Sequence, residues 1–257
     1  MDIDFSIIIP TLNSEKYLRE TIESLKLQDK SIKIQLIFSD GGSTDNTFNI
    51  IENLDQKNII KMIIYKKIGL SHAINEGLDL AEGKYLSYLN SDDILDKNAL
   101  INLKRIFETN QGKDWIIGLC QNIGKKKYLN NLINFYKKFF LKKLNLNILC
   151  INNVISQPSV FWRKNFYFKI GRFDESLKFN MDYDMWIRMI NVSKPYILNL
   201  TVSYFRRHSD SLSYKNTFSQ FKEKFKTMKK YKNNLFTKIL HILISSIILI
   251  IYRVTNY

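Results

Sequence analysis

The chain has 257 residues, of which 45% are hydrophobic, so it can bury the core of a full-sized α/β domain and is too apolar for a disordered protein. Only three prolines and two cysteines, Cys120 and Cys150, are present, which excludes collagen-like and disulfide-stapled proteins. The net charge of +15 is unevenly spread: residues 1–114 carry 14 basic and 18 acidic side chains, whereas residues 115–173 carry 11 basic and no acidic ones. No nucleic-acid-binding motif accompanies this charge, so anionic lipid or a phosphorylated substrate is the better partner class.

The first hundred residues alternate predicted strands with predicted helices. Short apolar runs rich in β-branched residues predict strands at 5–9, 34–38, 59–65 and 85–89, and the first three are each followed by a segment with helical apolar spacing. This alternation predicts an α/β fold with a mostly parallel central sheet and helices on both faces. In such sheets ligands bind beyond the carboxyl ends of the strands.

The second half of the sequence has a more mixed pattern. It predicts a helix at 97–107, a strand at 115–119, an inserted basic and aromatic helical segment at about 125–149, a strand at 154–162, a helix at 182–190 and a strand at 196–205.

Polar clusters follow three of the predicted strands: Thr11 with Asn13, Asp40, and Asn90 with Asp92 and Asp93. Carboxylates at the carboxyl edge of a sheet could hold Mg²⁺ or Mn²⁺ against a diphosphate. Two structural alternatives stay open: Asp92 or Asp93 could cap the next helix, and Asp40 could serve only the turn that Gly41 and Gly42 make.

In this order, SIIIPT at residues 6–11, DGGSTD at 40–45 and NSDD at 90–93 resemble the motifs of the family 2 glycosyltransferases, which have a GT-A fold. Further matches lie at residues 157–161, 171–175, 181–188 and 207–213. The resemblance covers residues 3–213 and implies a GT-A domain over 1–213, followed by a helical tail over 214–257.

The resemblance implies a nucleotide-diphosphate-sugar donor, with Pro10, Thr11 and Asn13 near the nucleoside and Asp40 accepting a hydrogen bond from the base, typically uracil. Asn90, Ser91 and Asp92 would be the counterpart of the family's DxD motif, with Asn90 in place of its first acid. Asp92 would then bind Mn²⁺ or Mg²⁺, and His208 stands where the family often returns a metal or diphosphate ligand to the site.

Family 2 enzymes invert the anomeric centre, which requires a base that deprotonates the attacking hydroxyl. Asp182 stands at the position of the second acid of the family's Glu/Asp-Asp motif, and Met181 replaces the first. Two alternatives stay open: Asp182 could only cap its helix with the help of Arg188, and Asp184 could be the base. The resemblance further places Gln157 and Trp186 on the acceptor side.

The tail begins with a basic run and continues with apolar residues. Its uninterrupted apolar part, residues 242–252, is shorter than the roughly 20 residues that a spanning helix needs. An interfacial helix preceded by a segment attracted to anionic lipid fits this pattern better. A helix packed on the domain or on a second copy, or one tilted span, are the alternatives. The lysines of the basic run are Lys222, Lys224, Lys226, Lys229, Lys230 and Lys232.

Together these features predict a metal-dependent inverting glycosyltransferase that transfers a sugar from a UDP- or other nucleotide-sugar to a lipid-linked or surface-glycan acceptor. Asp2 and Asp4 occupy positions where a targeting signal carries basic residues, so the expected location is cytoplasmic, at the inner face of the membrane. Two other functions stay open. A sugar-nucleotide pyrophosphorylase of the same fold would need a glycine-rich loop that is absent from residues 10–16, and a non-catalytic membrane or nucleic-acid binding module would not need Asp92.

Overall fold

The computed structural model describes residues 2–55, 59–65, 69–208, 211 and 216–254. Within these residues one sheet of eight strands has the order β3–β2–β1–β4–β7–β6–β8–β5. The strands are β1 (Phe5–Thr11), β2 (Ile34–Asp40), β3 (Ile59–Tyr65), β4 (Tyr85–Tyr88), β5 (Ile94–Leu95), β6 (Trp115–Ile123), β7 (Val160–Arg163) and β8 (Tyr196–Arg206).

The helices cover both faces of this sheet. They are α1 (Glu15–Lys26), α2 (Thr47–Glu52), α3 (Leu70–Asp79), α4 (Ala99–Thr109), α5 (Lys127–Leu141), α6 (Leu146–Ile151), α7 (Lys164–Ile170), α8 (Met181–Val192), α9 (Thr217–Tyr231) and α10 (Leu235–Val254). Ile7 and Ile9 belong to one buried cluster and Ile8 to a second, because successive side chains of a strand point to opposite faces. The predicted helices on both faces are therefore confirmed.

The sheet is mixed. Strands β3, β2, β1 and β4 are parallel, as are β6 and β8, whereas β7 runs antiparallel to both of its neighbours and β5 runs antiparallel to β8. Because β1 and β2 pair in register from Phe5↔Ile34 to Thr11↔Asp40, their carboxyl ends lie side by side. The polar residues that follow these strands therefore meet at one edge.

Two predicted elements differ from the structure. The predicted strand at 154–162 begins only at Val160, because residues 157–159 form a 3-10 turn with Pro158, which has no N–H to donate to a strand ladder. The predicted helical insertion at 125–149 is two helices, α5 and α6. The Asn145 side chain accepts a hydrogen bond from the Ile148 N–H and so starts the second.

The tail packs on the rest of the protein. Helix α9 contacts α8, and α10 contacts α6 and α9. Met228 is fully buried, and the Glu223 carboxylate accepts hydrogen bonds from the backbone N–H groups of Lys178, Phe179 and Asn180, just before α8. Among the described residues, no helix has the combination of length and apolar character that crossing a bilayer requires. These contacts agree with the packed-helix alternative for residues 217–241.

Candidate active site

Asp40 ends β2 and organises the turn that follows it. Its Oδ1 accepts hydrogen bonds from the N–H groups of Gly42 (3.0 Å) and Ser43 (2.8 Å), and its Oδ2 accepts them from the hydroxyls of Thr11 (2.9 Å) and Ser43 (2.6 Å). Gly42 has φ +96°, a conformation that favours glycine. These four bonds match the number of lone pairs of a carboxylate, so Asp40 holds the carboxyl ends of β1 and β2 together in this structure.

The three strand ends meet through side chains of the loop after β1. Asn13, with φ +49°, accepts a hydrogen bond from the Thr44 N–H through Oδ1 (2.9 Å). The Ser14 and Ser91 hydroxyl oxygens lie 2.8 Å apart. Pro10 is a buried residue of β1, beside Ser39 of β2. The structure thus brings the sequence-predicted donor residues to one edge of the sheet.

Asp92 and His208 come together across 116 residues of chain. The His208 Nε2 lies 2.8 Å from the Asp92 Oδ2, and the His208 ring packs on the ring of Tyr17 at a centroid distance of 4.8 Å. Arg206 ends β8, two residues before His208. Its Nε donates to the Asp92 carbonyl oxygen (3.0 Å), and its guanidinium pairs with the Glu20 carboxylate (2.5 Å). Its guanidinium therefore holds the 90–93 loop against β8 and α1.

Asp93 has a different environment from its neighbour. It is fully buried, and its carboxyl accepts hydrogen bonds from the Arg206 N–H (3.0 Å) and from the Asn90 Nδ2 (3.3 Å). Burial, together with the nearby charge of Asp92, raises the pKa of Asp93 well above its usual range. Helix α4 starts after Asn98, so the interpretation of Asp93 as a helix cap is wrong.

The Asp92 and His208 pair fits part of a metal site. A carboxylate oxygen suits Mn²⁺ and Mg²⁺, and an imidazole nitrogen adds a ligand of the borderline type that transition metals accept. Among the residues that the structure describes, no group of three or more His, Cys, Asp or Glu side chains could hold a metal. A metal at Asp92 and His208 would therefore need ligands from outside this set, and the oxygens of a diphosphate have the right chemistry.

Asp182 lies at the start of α8 and is partly buried. Its Oδ1 accepts a hydrogen bond from the Tyr183 N–H (2.7 Å). Burial raises the pKa of Asp182 to about 6, although the positive charges of Lys137 and Lys224 oppose this rise. A carboxylate with this pKa is ionised at neutral pH. Because its pKa lies close to that pH, it can also accept a proton efficiently.

The charges of two lysines from remote segments act on Asp182, and sequence reasoning missed both. Lys137 of α5 donates to the Ser156 hydroxyl (2.9 Å), and Lys224 of α9 donates to the Asn152 Oδ1 (2.7 Å). Lys224 is buried, and this burial lowers its pKa to about 7. For Lys224, the spacing of the sequence could have indicated burial. Lys224 and the buried Met228 are four residues apart and therefore lie on one face of α9.

Asp184, the rival base, is part of the core. It is buried, its Oδ2 lies 2.8 Å from the Arg188 Nε, and its Oδ1 accepts a hydrogen bond from the Tyr231 hydroxyl (2.6 Å). The structure thus pairs Arg188 with Asp184 and not with Asp182. The spacing of four residues on a helix could have indicated this pairing.

The two residues expected on the acceptor side are both inside the protein. Trp186 is fully buried and stacks on Trp115 at a centroid distance of 6.2 Å, so it presents no surface to an acceptor in this structure. Trp186 lies one helical turn after Asp182, and its ring packs inward against Trp115 and Trp162. Gln157 is buried and donates from Nε2 to the Tyr88 carbonyl oxygen (2.5 Å), which ties the β7 turn to β4.

Comparison with known proteins adds a family to this geometry. Residues 6–183 match the sequence model of glycosyl transferase family 2. An uncharacterized glycosyltransferase of Rickettsia prowazekii is 30% identical over 194 residues, which are 74% of this chain and 60% of that protein. The minor teichoic acid biosynthesis protein GgaA of Bacillus subtilis is 32% identical over 227 residues, which are 84% of this chain and 50% of that protein. The chain thus spans between half and three fifths of the length of these relatives.

Solved structures share the fold. Staphylococcus aureus TarS residues 1–349 in complex with UDP-GlcNAc has a TM-score of 0.68 at 20% identity, over 92% of this chain and 69% of that one. The mannosyltransferase PcManGT of Pyrobaculum calidifontis, in complex with GDP-Man and Mn²⁺, has a TM-score of 0.67 at 14% identity, over 94% of this chain and 69% of that one. The GT-A architecture expected from the motifs is therefore confirmed.

Proposed function

Because this chain belongs to glycosyl transferase family 2 and is a glycosyltransferase, we propose that it is metal-dependent, inverts the anomeric centre and uses a UDP-sugar as donor. The observation that carries the proposal is the separation of two carboxylates into different settings. Asp92 pairs with His208 at the edge where the strand ends meet, whereas Asp182 is partly buried and within the electrostatic influence of Lys137 and Lys224. The setting of Asp92 suits the binding of a cation, and the setting of Asp182 suits proton transfer.

The donor would bind at the carboxyl ends of β1, β2 and β4, where Asp40, Asn13 and Ser91 shape the edge. The family neighbour TarS in complex with UDP-GlcNAc supports a UDP-sugar, and the neighbour in complex with GDP-Man and Mn²⁺ supports divalent metal use. Asp92 and His208 would hold Mn²⁺ or Mg²⁺, which when bound supplies positive charge against the diphosphate. Arg206 would keep the Asp92 loop in place through its bond to the Asp92 carbonyl.

Asp182 would be the general base. As the acceptor oxygen forms its bond to the anomeric carbon, the bond from that carbon to the diphosphate oxygen breaks, and the hydroxyl proton passes to the Asp182 carboxylate. The pKa of about 6 fits this role because the carboxylate is ionised at neutral pH. Lys137 and Lys224 would limit the rise of that pKa, since their charges favour the ionised form.

The proposed acceptor is lipid-linked or part of a surface glycan. The proposed location of the enzyme is the inner face of the cell membrane. The name of the relative GgaA, a minor teichoic acid biosynthesis protein, supports an acceptor of the cell envelope. The basic residues of 115–173, a segment without any acidic residue, suit an anionic acceptor or surface.

A panel of UDP- and GDP-sugars, each with Mn²⁺ or Mg²⁺, tests the donor assignment by thermal stabilisation and by release of nucleoside diphosphate. We expect UDP with Mn²⁺ to raise Tm and Asp92→Ala to lose the metal-dependent part of that rise. Asp55→Ala, which removes an exposed carboxylate after α2, is the matched control. Release of pyrophosphate would indicate a pyrophosphorylase, and no stabilisation by any nucleotide diphosphate would remove the donor assignment.

A further inference from the structure

Helix α10 is amphipathic, but its polar face is buried and its apolar face is exposed. Its polar residues Thr237, His241 and Ser245 recur every four positions and are buried against the protein. Seven of its apolar residues face outward with exposures between 48% and 73%, whereas Leu240, Ile244, Ile248 and Leu249 are half-buried. The seven are Leu235, Phe236, Ile239, Ile242, Leu243, Ile247 and Ile250. A surface helix of a globular protein normally buries its apolar stripe. The exposed apolar face of α10 therefore marks an interaction site.

Helix α5 carries a second outward apolar stripe. Tyr128, Leu132, Phe135 and Phe139 are spaced by four, three and four residues, which places them on one face, and their exposures are 85%, 54%, 71% and 47%. Such a row of large apolar side chains exposed to water marks an interaction site.

The two helices border the same short element, α6. The Asn152 Nδ2, just after α6, donates to the Tyr136 hydroxyl of α5 (3.1 Å), and the His241 Nδ1 of α10 lies 2.8 Å from the Cys150 carbonyl oxygen of α6. Burial lowers the pKa of His241 to about 4, so its ring is neutral at physiological pH and Nδ1–H donates to that carbonyl. We call the outward stripes of α5 and α10 together the docking surface.

The charge around the docking surface identifies its partner. Six lysines at the ends and on the outer side of α5 are exposed, and they are Lys125, Lys126, Lys127, Lys138, Lys142 and Lys143. The Lys143 ammonium lies 4.5 Å from the centre of the Phe139 ring, so charge and apolar stripe are contiguous. A symmetric dimer through α5 would set this positive charge against itself, because a two-fold interface pairs a patch with its own copy. An anionic bilayer offers both acyl chains for the aromatic side chains and phosphates for the lysines.

We propose that the docking surface inserts into the interface of an anionic bilayer, with α5 and α10 as the elements in contact with lipid. The inference rests on the membrane location in the proposed function and names the surface responsible for it. Three lysines of the basic run of α9, Lys222, Lys226 and Lys229, are exposed, whereas two others contact the protein. Lys224 is buried beside Asp182, and the Lys230 Nζ lies 3.6 Å from the Asp184 Oδ1.

Flotation of the full chain with vesicles of equal parts phosphatidylglycerol and phosphatidylcholine tests the proposal. We expect binding to these vesicles, and a fall of about tenfold or more in partitioning for Phe135→Ser with Phe139→Ser, and separately for Ile242→Ser with Leu243→Ser. The double variant Leu27→Ser with Phe168→Ser, which removes side chains of similar exposure (68% and 62%) elsewhere, should bind like the wild type. Lys138→Gln with Lys142→Gln should weaken binding at low salt only.

Stabilisation by UDP and Mn²⁺ is measured on the same variants and should not change, so failure of the donor assignment and failure of the docking surface are distinguishable. The single variant Tyr128→Trp supplies a gain-of-signal test, because lipid with brominated acyl chains should quench its added fluorescence. The proposal is overturned if the stripe variants float like the wild type or if brominated lipid leaves the Tyr128→Trp signal unchanged. It is also overturned if light scattering shows a lipid-free dimer that the stripe variants dissociate.

Discussion

Asp92 and Asp182, the two carboxylates that we place in catalysis, are held by different means. The edge around Asp92 is closed by hydrogen bonds among the strand ends, such as the Thr11 hydroxyl to Asp40 and Ser14 to Ser91, and by Arg206 and His208 at the end of β8. The surroundings of Asp182 depend on remote segments, because Lys137 comes from α5 and Lys224 from α9. The donor edge is therefore sensitive mainly to changes within it, whereas the proposed base is sensitive to changes in the tail.

The largest expected effect comes from removal of the tail. A chain that ends at Tyr214 loses Glu223, Lys224 and Met228, and so exposes the apolar surface under α9 and leaves three N–H groups before α8 without their acceptor. We expect a loss of several kcal/mol, comparable to the whole stability of a domain. Urea unfolding followed by circular dichroism measures it.

A chain that ends at Asn234 is the control for this truncation, because it keeps α9 and loses only α10. It should unfold at a urea concentration between those of the full chain and the shorter one. If the chain that ends at Tyr214 is as stable as the full chain, α9 does not stabilise the fold. The Asp182 site would then depend on the tail no more than the edge around Asp92 does.

Asp182→Asn should lower transfer about 10²–10⁴-fold, since a general base contributes that much, while the affinity for UDP with Mn²⁺ stays unchanged. In the wild type, kcat/KM should fall as the pH drops through about 6, because protonation of Asp182 removes the base. Asp184→Asn is the contrast: it breaks the contact with Arg188 and should lower Tm more than it lowers transfer. A loss of donor affinity in Asp182→Asn with transfer intact would contradict the assigned role.

Within the donor edge, Asp92 and Asp93 should respond in opposite ways. Asp93→Ala leaves the part-buried Arg206 N–H and the Asn90 amide without their acceptor, so we expect a loss of about 1–3 kcal/mol of stability. Asp92→Ala should keep Tm of the ligand-free protein nearly unchanged and lose metal-dependent UDP binding. Thermal unfolding with and without UDP and Mn²⁺ measures both effects. Equal losses of stability in the two variants would show that Asp92 is also structural.

The smallest expected effect is a change in pH dependence from Lys224→Met. The charge of Lys224 favours the ionised form of Asp182, so its removal should raise the Asp182 pKa above about 6 and move the acid limb of kcat/KM to higher pH. The change in rate at neutral pH should be less than about tenfold. Lys226→Met, at an exposed position on the same helix, should leave the pH profile unchanged. An acid limb that does not move would show that the tail does not tune the base.

The sequence by itself determined the strands of the donor half and the meeting of their polar ends. Strands β1, β2 and β4 are short apolar runs, and parallel pairing sends their carboxyl ends to one edge whatever else the chain does. The sequence also contained the pairing of Asp184 with Arg188, because residues four apart on a helix are neighbours. These features depend on local period and on general rules of sheet topology.

Only the tertiary structure decided which of two adjacent acids is buried, which face of α10 meets the protein, and that Lys224 lies beside Asp182 rather than in water. Adjacent residues such as Asp92 and Asp93 have the same local pattern, and their environments differ because β8 returns Arg206 to one and His208 to the other. His241 of α10 is buried where the Cys150 carbonyl of α6 offers it a hydrogen-bond partner. Periodicity shows that a helix has two faces, but the partner across the contact decides which face is inside, and that partner lies 91 residues away along the chain.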